Sequence, residues 1–270
     1  MAKRKKYRLK AKYRPKNIIK NISKKKRSKR KNKYRVKNKI VIVFILLCLA
    51  VFIFSLVHII SWKSDNNSNR EIAKEIKKSV VVKDDKYTID FDKLKKENPD
   101  TVGYIRVKNT DINYAVVKTD DNKYYLDHNF KKEYNIAGWI FADYRNKFNG
   151  EDKNITIYGH NMRDGSMFGT LKNILDEEWY SNKDNLNVTL LTEKGTLNYE
   201  VFSVYKIKKE GYYALNSFKD DKEYEKFIKE MKDRSKVDFK KEVSSDDKIL
   251  TLSTCARNNN YRVVLHAVLK

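Results

Sequence analysis

The run from Ile40 to Ile60 constrains this chain more than any other feature, because none of its 21 residues is charged. Only Ser55 and His58 interrupt it with polar groups. A helix of about 20 apolar residues spans the hydrocarbon core of a bilayer, whereas a cleaved signal peptide has an apolar region of only about 7–15 residues. The run therefore predicts an uncleaved membrane anchor over residues 40–62, with Trp62 at the interface. A buried core helix is the alternative interpretation.

The positive charge of the chain is concentrated before that run. Residues 1–39 hold 21 of the 60 Lys and Arg and no Asp or Glu, which leaves 60 − 21 = 39 basic and 35 acidic residues elsewhere. Because positive segments stay in the cytoplasm, we expect a cytoplasmic tail over 1–39, a juxtamembrane linker and helix over 63–90, and an extracellular domain over 91–270. Clustered Lys and Arg also suit nucleic acid. Anionic lipid headgroups explain the tail more simply, so no nucleic-acid partner is expected.

The use of cysteine in the chain points to one reactive position. There are two Cys, and Cys48 lies inside the apolar run. The part expected outside the membrane therefore contains Cys255 alone, which cannot form an intramolecular disulfide. An unpaired thiol in an oxidising compartment indicates pairing with another chain or a chemical role.

Short β-rich segments separated by turn residues dominate the chain after residue 100, and eight of them suit a closed or nearly closed barrel. The predicted class is mainly β with peripheral helices. The predicted strands cover residues 102–107, 112–117, 137–141, 154–158, 188–192, 197–207, 248–254 and 261–269.

Helices are predicted around and between these strands. The polar segment 65–69 predicts a break, and the helices are expected at 70–78, 91–97, 167–175 and 222–234. In the last of these, apolar side chains recur at helical spacing and predict a face that packs on the barrel, formed by Tyr224, Phe227, Ile228 and Met231. Asp220 or Asp221 is expected to cap its start.

Cys255 ends an apolar strand and precedes a polar turn, where a side chain can meet solvent and substrate. Arg257 and Arg262 flank that turn, and a nearby cation favours the thiolate that attacks carbonyl carbons. A small buried hydrophobe is the alternative interpretation, since free cysteine is often buried. Arg262, at the start of the final strand, could also hydrogen-bond an oxyanion, or could be an ordinary surface arginine.

His160 ends another predicted strand and is the candidate proton donor, because histidine gains and loses its proton near neutral pH. Strand ends at one rim of a barrel can approach each other. His266 lies in the middle of a strand, which favours a core role, and His128 lies in a loop where it could line a groove. No CxxC, HExxH or Gly-rich phosphate loop is present, so we predict neither a metal nor a cofactor.

Together these residues resemble the sortases. The likeness rests on TLSTC ending at Cys255, an arginine that opens the last strand, and an upstream strand ending in Tyr-Gly-His. The segments GWIFADYRN (138–146) and GHNMRDGSMFG (159–169), and the long helix at 222–234, are similar to class B sortases. The likeness covers residues 70–270, and the combination of these features is highly specific.

The resemblance implies an eight-stranded sortase barrel with N-terminal helices and an extra helix before the strand that carries the cysteine. It also implies a two-step transpeptidation reaction and an active site that needs no triad aspartate. The Cys255 thiolate would attack a threonine carbonyl in the C-terminal sorting motif of a secreted protein, His160 would protonate the departing amine, and Arg262 would complete the active site. A peptidoglycan amine, or a pilin lysine in some systems, would then accept the acyl group.

By the same resemblance, a substrate pocket is expected at Asn122, Leu126 and Ser253, together with a tyrosine from the loop before the extra helix. Tyr212 and Tyr213 are the candidates, and Tyr213 is preferred. Arg257 competes with Arg262 for the catalytic role, and Arg262 is preferred because it opens a strand that resembles the closing strand of the family.

Two other classes of function are alternatives to transpeptidation. A papain-like cysteine hydrolase places its cysteine before its histidine and at the N-terminus of a helix, whereas here the histidine comes first and the cysteine ends a strand. A binding module without activity would hold a buried thiol that reacts slowly with alkylating agents.

Overall fold

The computed structural model describes residues 16–83, 86–255 and 260–270, with the backbone alone described at 16–23, 30–36, 82–83, 86 and 255. The chain divides into two compact units, residues 1–60 and 61–270. Helix α1 (Lys16–Lys77) begins in the first of them. No Gly or Pro occurs between residues 16 and 77, so no residue that strongly disfavours helix interrupts α1. Within the described residues, α1 contains the one helix segment that is long and apolar enough to cross a membrane.

The segment 65–69 is helical, so the predicted break is wrong. Asp65 and Asn69 are one helical turn apart and therefore lie on the same face. The Asp65 Oδ2 accepts a hydrogen bond from the backbone of Ile136 at 3.1 Å, and the Asn69 Nδ2 donates to the backbone oxygen of Gly138 at 3.0 Å. The polar side chains of this segment predicted a loop. The prediction failed because their hydrogen-bond partners are distant residues that only the tertiary structure brings close.

Eight strands close into a barrel in the order β10-β8-β7-β3-β4-β5-β6-β9, which confirms the predicted fold class. The pairs β4–β5 and β6–β9 are parallel, and the other neighbouring pairs are antiparallel. The strands are β3 (Thr101–Val107), β4 (Asn113–Val117), β5 (Phe141–Ala142), β6 (Asn154–Gly159), β7 (Asn187–Thr192), β8 (Gly195–Lys208), β9 (Ile249–Cys255) and β10 (Tyr261–Leu269).

A hairpin that the sequence analysis missed precedes the barrel, formed by β1 (Val80–Lys83) and β2 (Lys86–Ile89). Each strand has only four residues, which is too short for an alternating pattern to stand out. Helix α2 (Phe91–Glu97) follows as predicted. The Asp90 carboxylate caps it by accepting from the backbone of Lys93 at 2.9 Å.

Two predicted elements differ in the structure. The strand expected at 137–141 is reduced to β5, because the chain turns at Gly138 with φ +54° and the Trp139 Nε1 donates to the Ala115 oxygen at 2.9 Å. The helix expected at 167–175 is a 3₁₀ helix (Gly169–Leu175). Further short helices are α3 (Glu177–Tyr180) and the 3₁₀ helices Tyr124–Leu126, Lys183–Leu186 and Tyr212–Ala214.

Helix α4 (Asp221–Asp233) forms where its amphipathic pattern predicts it. Asp220 is the cap, since its carboxylate accepts from the backbone of Glu223 at 2.9 Å. The four apolar side chains of its predicted face are buried, and each contributes about 1.5–3 kcal/mol by leaving water.

The barrel wall under α4 is buried on both sides, which explains the almost continuous apolar sequence of β10. Val263, Leu265 and Ala267 belong to the main core. Val264 and Val268 alternate with them and join a second core with the buried face of α4.

Candidate active site

The barrel brings the ends of β6, β9 and β10 together at one rim. β6 and β9 run parallel, with Gly159 paired to Thr254, and His160 is the residue directly after Gly159. β9 and β10 run antiparallel, with Cys255 paired to Arg262. The backbones of the three candidate catalytic residues therefore occupy neighbouring positions on three adjacent strands, although they are up to 102 residues apart in the sequence.

The imidazole of His160 is half-buried and held at one end. Its Nε2 lies 2.6 Å from the backbone oxygen of Leu126. A carbonyl oxygen can only accept, so Nε2 carries the hydrogen of this bond. In the neutral ring, Nδ1 is therefore the nitrogen without a hydrogen.

Close packing under Leu126 supports this contact. Gly138 lies so near that a Cβ at this position would come within 2.6 Å of the Leu126 oxygen, and its φ of +54° also favours glycine. The oxygen of Gly138 accepts from Asn69 of α1, as described above. Contacts therefore connect α1 with Gly138, Gly138 with Leu126, and Leu126 with His160.

The residues predicted for the pocket line the same cleft as His160 and Arg262. Tyr213 is among them, whereas Tyr212 packs away from the cleft with its ring centroid 5.6 Å from that of Phe227. The geometry therefore favours Tyr213 over Tyr212. The predicted residues that line the cleft are Asn122, Leu126, His160, Tyr213, Ser253 and Arg262.

Ser253 and Tyr213 are joined at the floor of the cleft. The Ser253 Oγ donates to the Tyr213 hydroxyl at 2.9 Å, and both residues are almost completely buried. Leu126 is 41% exposed, which leaves an apolar surface at the mouth of the cleft. The cleft therefore combines hydroxyl groups below with an aliphatic side chain at its entrance.

The guanidinium of Arg262 is half-buried at the same rim. Its Nη1 donates to the backbone oxygen of Tyr261 at 3.2 Å. A guanidinium offers five N–H donors in a fixed plane, which suits it to binding a carbonyl oxygen or an oxyanion beside Cys255. The side chain of Cys255 and the whole of Arg257 lie outside the described residues.

Several residues that line the cleft were not predicted as site residues, although four of them lie in the quoted motifs, and they come from three strands and one loop. Tyr158 precedes His160 by two positions, so the alternation of a strand could have found it. Lys209 and Glu210 follow β8, where the sequence carries no signal, and Glu210 is paired with Arg234 at 2.5 Å. The additional lining residues are Phe141, Tyr158, Gly159, Lys209, Glu210 and Thr254.

The other histidines considered above lie elsewhere in the described part of the chain. The ring of His128 stacks on Tyr124 with centroids 4.1 Å apart. His266 is completely buried and hydrogen-bonds Tyr205 and Thr251 at 2.8 and 2.9 Å. Burial, followed by the nearby Arg234 cation, lowers the pKa of His266 to about 3. His266 is therefore a neutral core residue, as its position in the middle of a strand predicted.

Comparison with known proteins gives a consistent family. The sortase domain matches residues 105–270. Sortase B of Listeria monocytogenes is 37% identical over 230 residues, which cover 80% of this chain and 89% of that protein. Sortase B of Staphylococcus aureus is 33% identical over 165 residues, which cover 61% of this chain and 67% of that protein.

The fold agrees with this similarity. The crystal structure of sortase B from Bacillus anthracis in complex with AAEK1 matches with a TM-score of 0.68 at 35% identity. The match covers 76% of this chain and 98% of that one.

Proposed function

Because this chain belongs to the class B sortases and is a sortase transpeptidase, we propose that it cleaves the C-terminal sorting motif of secreted proteins after a threonine and transfers the acyl group to a peptidoglycan amine. The observation that carries the proposal is the pairing of Arg262 with Cys255 at the barrel rim where β6 ends before His160. This pairing supports the proposal because backbones at neighbouring positions would allow the three side chains to act on one carbonyl group.

In the first step, the Cys255 thiolate attacks the threonine carbonyl carbon and the carbonyl oxygen becomes an oxyanion. Arg262 donates hydrogen bonds to that oxygen and lowers the energy of the tetrahedral intermediate. The C–N bond then breaks, and the departing nitrogen takes a proton from His160 Nδ1. The product is a thioester at Cys255 and a free amine.

In the second step, an acceptor amine attacks the thioester carbonyl. Neutral His160 takes a proton from the attacking nitrogen, and the C–S bond breaks to return the thiolate. His160 thus acts as acid in one half-reaction and as base in the other. Its Nε2 bond to Leu126 supports the proposal because it keeps the ring in one orientation during both proton transfers.

The cleft residues supply a binding site for the motif. We assign the hydrogen-bonding contacts to Asn122, Ser253 and Tyr213, and an apolar contact to Leu126. The hydrogen bond between Ser253 and Tyr213 supports this assignment because it fixes both hydroxyl groups before substrate enters.

We further propose that residues 40–62 anchor the protein in the membrane, with the tail 1–39 in the cytoplasm and the catalytic domain 91–270 outside. The exposed apolar helix segment supports the anchor. The excess of Lys and Arg before it supports the orientation.

The test incubates the full chain in detergent micelles with a library of sorting-motif peptides and hydroxylamine, and identifies products by mass. We expect a threonine hydroxamate from at least one peptide. Cys255→Ala should abolish the product while the circular dichroism spectrum is retained. Full turnover by Cys255→Ala would contradict the proposed nucleophile. Replacing hydroxylamine with a peptidoglycan stem peptide or a lysine peptide identifies the acceptor class.

A further inference from the structure

Asp143 is a buried carboxylate directly behind the cleft, and the proposed chemistry does not use it. It follows β5, and its side chain has no exposed surface. An ionised carboxylate is costly to bury unless hydrogen bonds and an opposite charge compensate it. The groups that compensate Asp143 belong to the cleft or lie next to it.

Two residues of the cleft donate to the same oxygen of Asp143. The Asn122 Nδ2 and the Tyr158 hydroxyl each lie 2.9 Å from Oδ2. The Asn122 Oδ1 also accepts from the backbone of Tyr144 at 3.0 Å, so both ends of the amide are held. The orientation that Asn122 presents to the cleft is therefore fixed by Asp143 and its neighbour.

Arg145 connects the Asp143 carboxylate with the turn that carries Tyr213. Its Nε lies 2.8 Å from Asp143 Oδ1 and its Nη2 lies 2.9 Å from Oδ2, which is a two-point ion pair. The same Nη2 donates to the backbone oxygen of Ala214 at 3.0 Å. Ala214 follows Tyr213, so the guanidinium also holds the turn that carries the cleft tyrosine.

The protonation states agree with this arrangement. Burial by itself would raise the pKa of Asp143, but hydrogen bonds from Arg145, Asn122 and Tyr158 outweigh it and hold that pKa below its ordinary value. Burial, with the Asp143 charge as the next cause, raises the pKa of Tyr158. Asp143 therefore stays an acceptor at neutral pH, and the Tyr158 hydroxyl stays a donor.

We propose that Asp143 is a positioning residue for substrate binding, whose carboxylate, clamped by Arg145, fixes Asn122, Tyr158 and the Tyr213 turn in the shape that receives the sorting motif. The inference rests on the proposed function of the cleft. It assigns Asp143 to the binding of the motif and leaves the chemical step to the residues at the rim. Loss of the carboxylate should therefore raise KM far more than it lowers kcat.

Asp152 is a matched control in the same connection between β5 and β6. Its carboxylate accepts from the backbones of Lys147 and Phe148 at 2.9 and 2.8 Å and from the Asn146 amide at 3.2 Å. These hydrogen bonds go to this loop rather than to the cleft. Asp152→Asn therefore changes the same functional group. It tests whether loosening the loop is by itself enough to raise KM.

The experiment measures kcat and KM of the full chain with the peptide and hydroxylamine of the assay above, for the parent, Asp143→Asn and Asp152→Asn. We expect Asp143→Asn to raise KM about tenfold, the effect of roughly one charge-assisted hydrogen bond, with kcat within about threefold of the parent. Asp152→Asn should leave both constants within about twofold of the parent. The dissociation constant of the peptide, measured in a Cys255→Ala background, should rise with Asp143→Asn by the same factor as KM.

The rate at which Cys255 is alkylated shows whether a variant changes the reactivity of the thiol. In a Cys48→Ser background, iodoacetamide should modify Cys255 at the same rate with or without Asp143→Asn. An unchanged KM, a fall in kcat alone, or an equal rise of KM in Asp152→Asn would each overturn the inference. If the parent turns over no sorting peptide, the proposed function fails first, and the two failures are thereby distinguished.

Two milder variants keep the test decisive if Asp143→Asn does not fold. Tyr158→Phe removes one hydroxyl donor and keeps the ring, and Arg145→Gln removes the clamp from a side chain that is 38% exposed. We expect each to raise KM about threefold to tenfold, because each removes hydrogen bonds to the ionised carboxylate that positions the cleft residues. An unchanged KM in both folded variants would overturn the inference.

Discussion

The cleft and the cluster around His266 contain the same kinds of side chain, yet only one of them is open. His160, Tyr213 and Ser253 line the cleft together. In the core under α4, His266 hydrogen-bonds Tyr205 and Thr251. Both sites use hydroxyl groups from β9 and side chains from β10, so residue type alone does not distinguish them.

What distinguishes the two sites is how the histidine nitrogens are used. Both nitrogens of His266 have a partner, and aromatic rings surround it, with the centroids of Phe202 and Phe227 at 5.9 and 6.3 Å. His160 has one nitrogen on the Leu126 oxygen and remains half-buried at the rim. A histidine can move a proton only when one nitrogen can reach a substrate. The comparison therefore predicts opposite effects of mutation at the two sites.

The largest expected effect is at the rim. His160→Ala should lower kcat for peptide cleavage by roughly 10²–10⁴-fold, the usual contribution of general acid–base catalysis. The free energy of unfolding should change by only about 1 kcal/mol, because one hydrogen bond is lost. Steady-state kinetics and urea unfolding measure the two quantities. A variant with near-parental kcat would show that His160 is not the proton donor.

Arg262 should come next. Arg262→Gln should lower kcat by roughly 10²–10³-fold, as for the loss of an oxyanion donor. Arg257→Gln serves as the control with the same change of charge, and we expect a much smaller effect from it. If Arg257→Gln proved the more damaging in the same assay, the assignment of the oxyanion-binding role to Arg262 would be wrong.

His266 should make the free energy of unfolding depend on pH. Its folded pKa of about 3 lies below its ordinary value of 6.5, so the unfolded chain binds the proton first as the pH falls. The stabilisation by neutral His266 is thus complete above about pH 6.5 and declines toward pH 3 by about 1.4 kcal/mol per pH unit.

His266→Gln removes this titrating group and tests the structural role of His266 directly. It should lower the free energy of unfolding at pH 7.5 by about 2 kcal/mol, since hydrogen bonds to Tyr205 and Thr251 are lost or weakened. It should also lose less stability than the parent between pH 6.5 and 4.5. Urea unfolding of both proteins across that range measures the difference. Parallel curves would show that His266 does not titrate as described.

The smallest effect should be at the floor of the cleft. Tyr213→Phe removes the acceptor of the Ser253 hydrogen bond and should raise KM for the sorting peptide by about 3–10-fold. Tyr212→Phe is the matched control and should leave KM within about twofold of the parent. A larger effect from Tyr212→Phe would reverse the choice between the two tyrosines.

Prediction of the fold from the sequence succeeded where one local pattern was long and uninterrupted. The stripe of α4 and the apolar run of β10 were long enough to give both the type and nearly the bounds of each element. β5 was overestimated because Trp139 and Ile140 are as apolar as strand residues and are buried in an irregular segment. The helical segment 65–69 was missed because its polar side chains bond residues about 70 positions away.

The cleft could be predicted only in part. His160 and Arg262 stand out as charged or titratable residues at strand ends, and the resemblance to the sortases indicated Asn122 and Ser253. Asp143 carried no such signal, although it lies within the segment that supported the resemblance. Its importance depends on donors from three separate parts of the chain, which no local spacing reveals.

Composition and periodicity act over neighbouring residues, so they were enough to predict the apolar helix, the uneven charge, the strand-rich domain and the residue types available for thiol chemistry. Which histidine is open and which carboxylate supports the cleft depend on the folded barrel. Barrel closure pairs Cys255 with Arg262 and puts β6 beside β9, and it seals His266 under α4. Burial and strand register arise from contacts between distant residues, and these contacts separate the proposed active site from a structural site of similar composition.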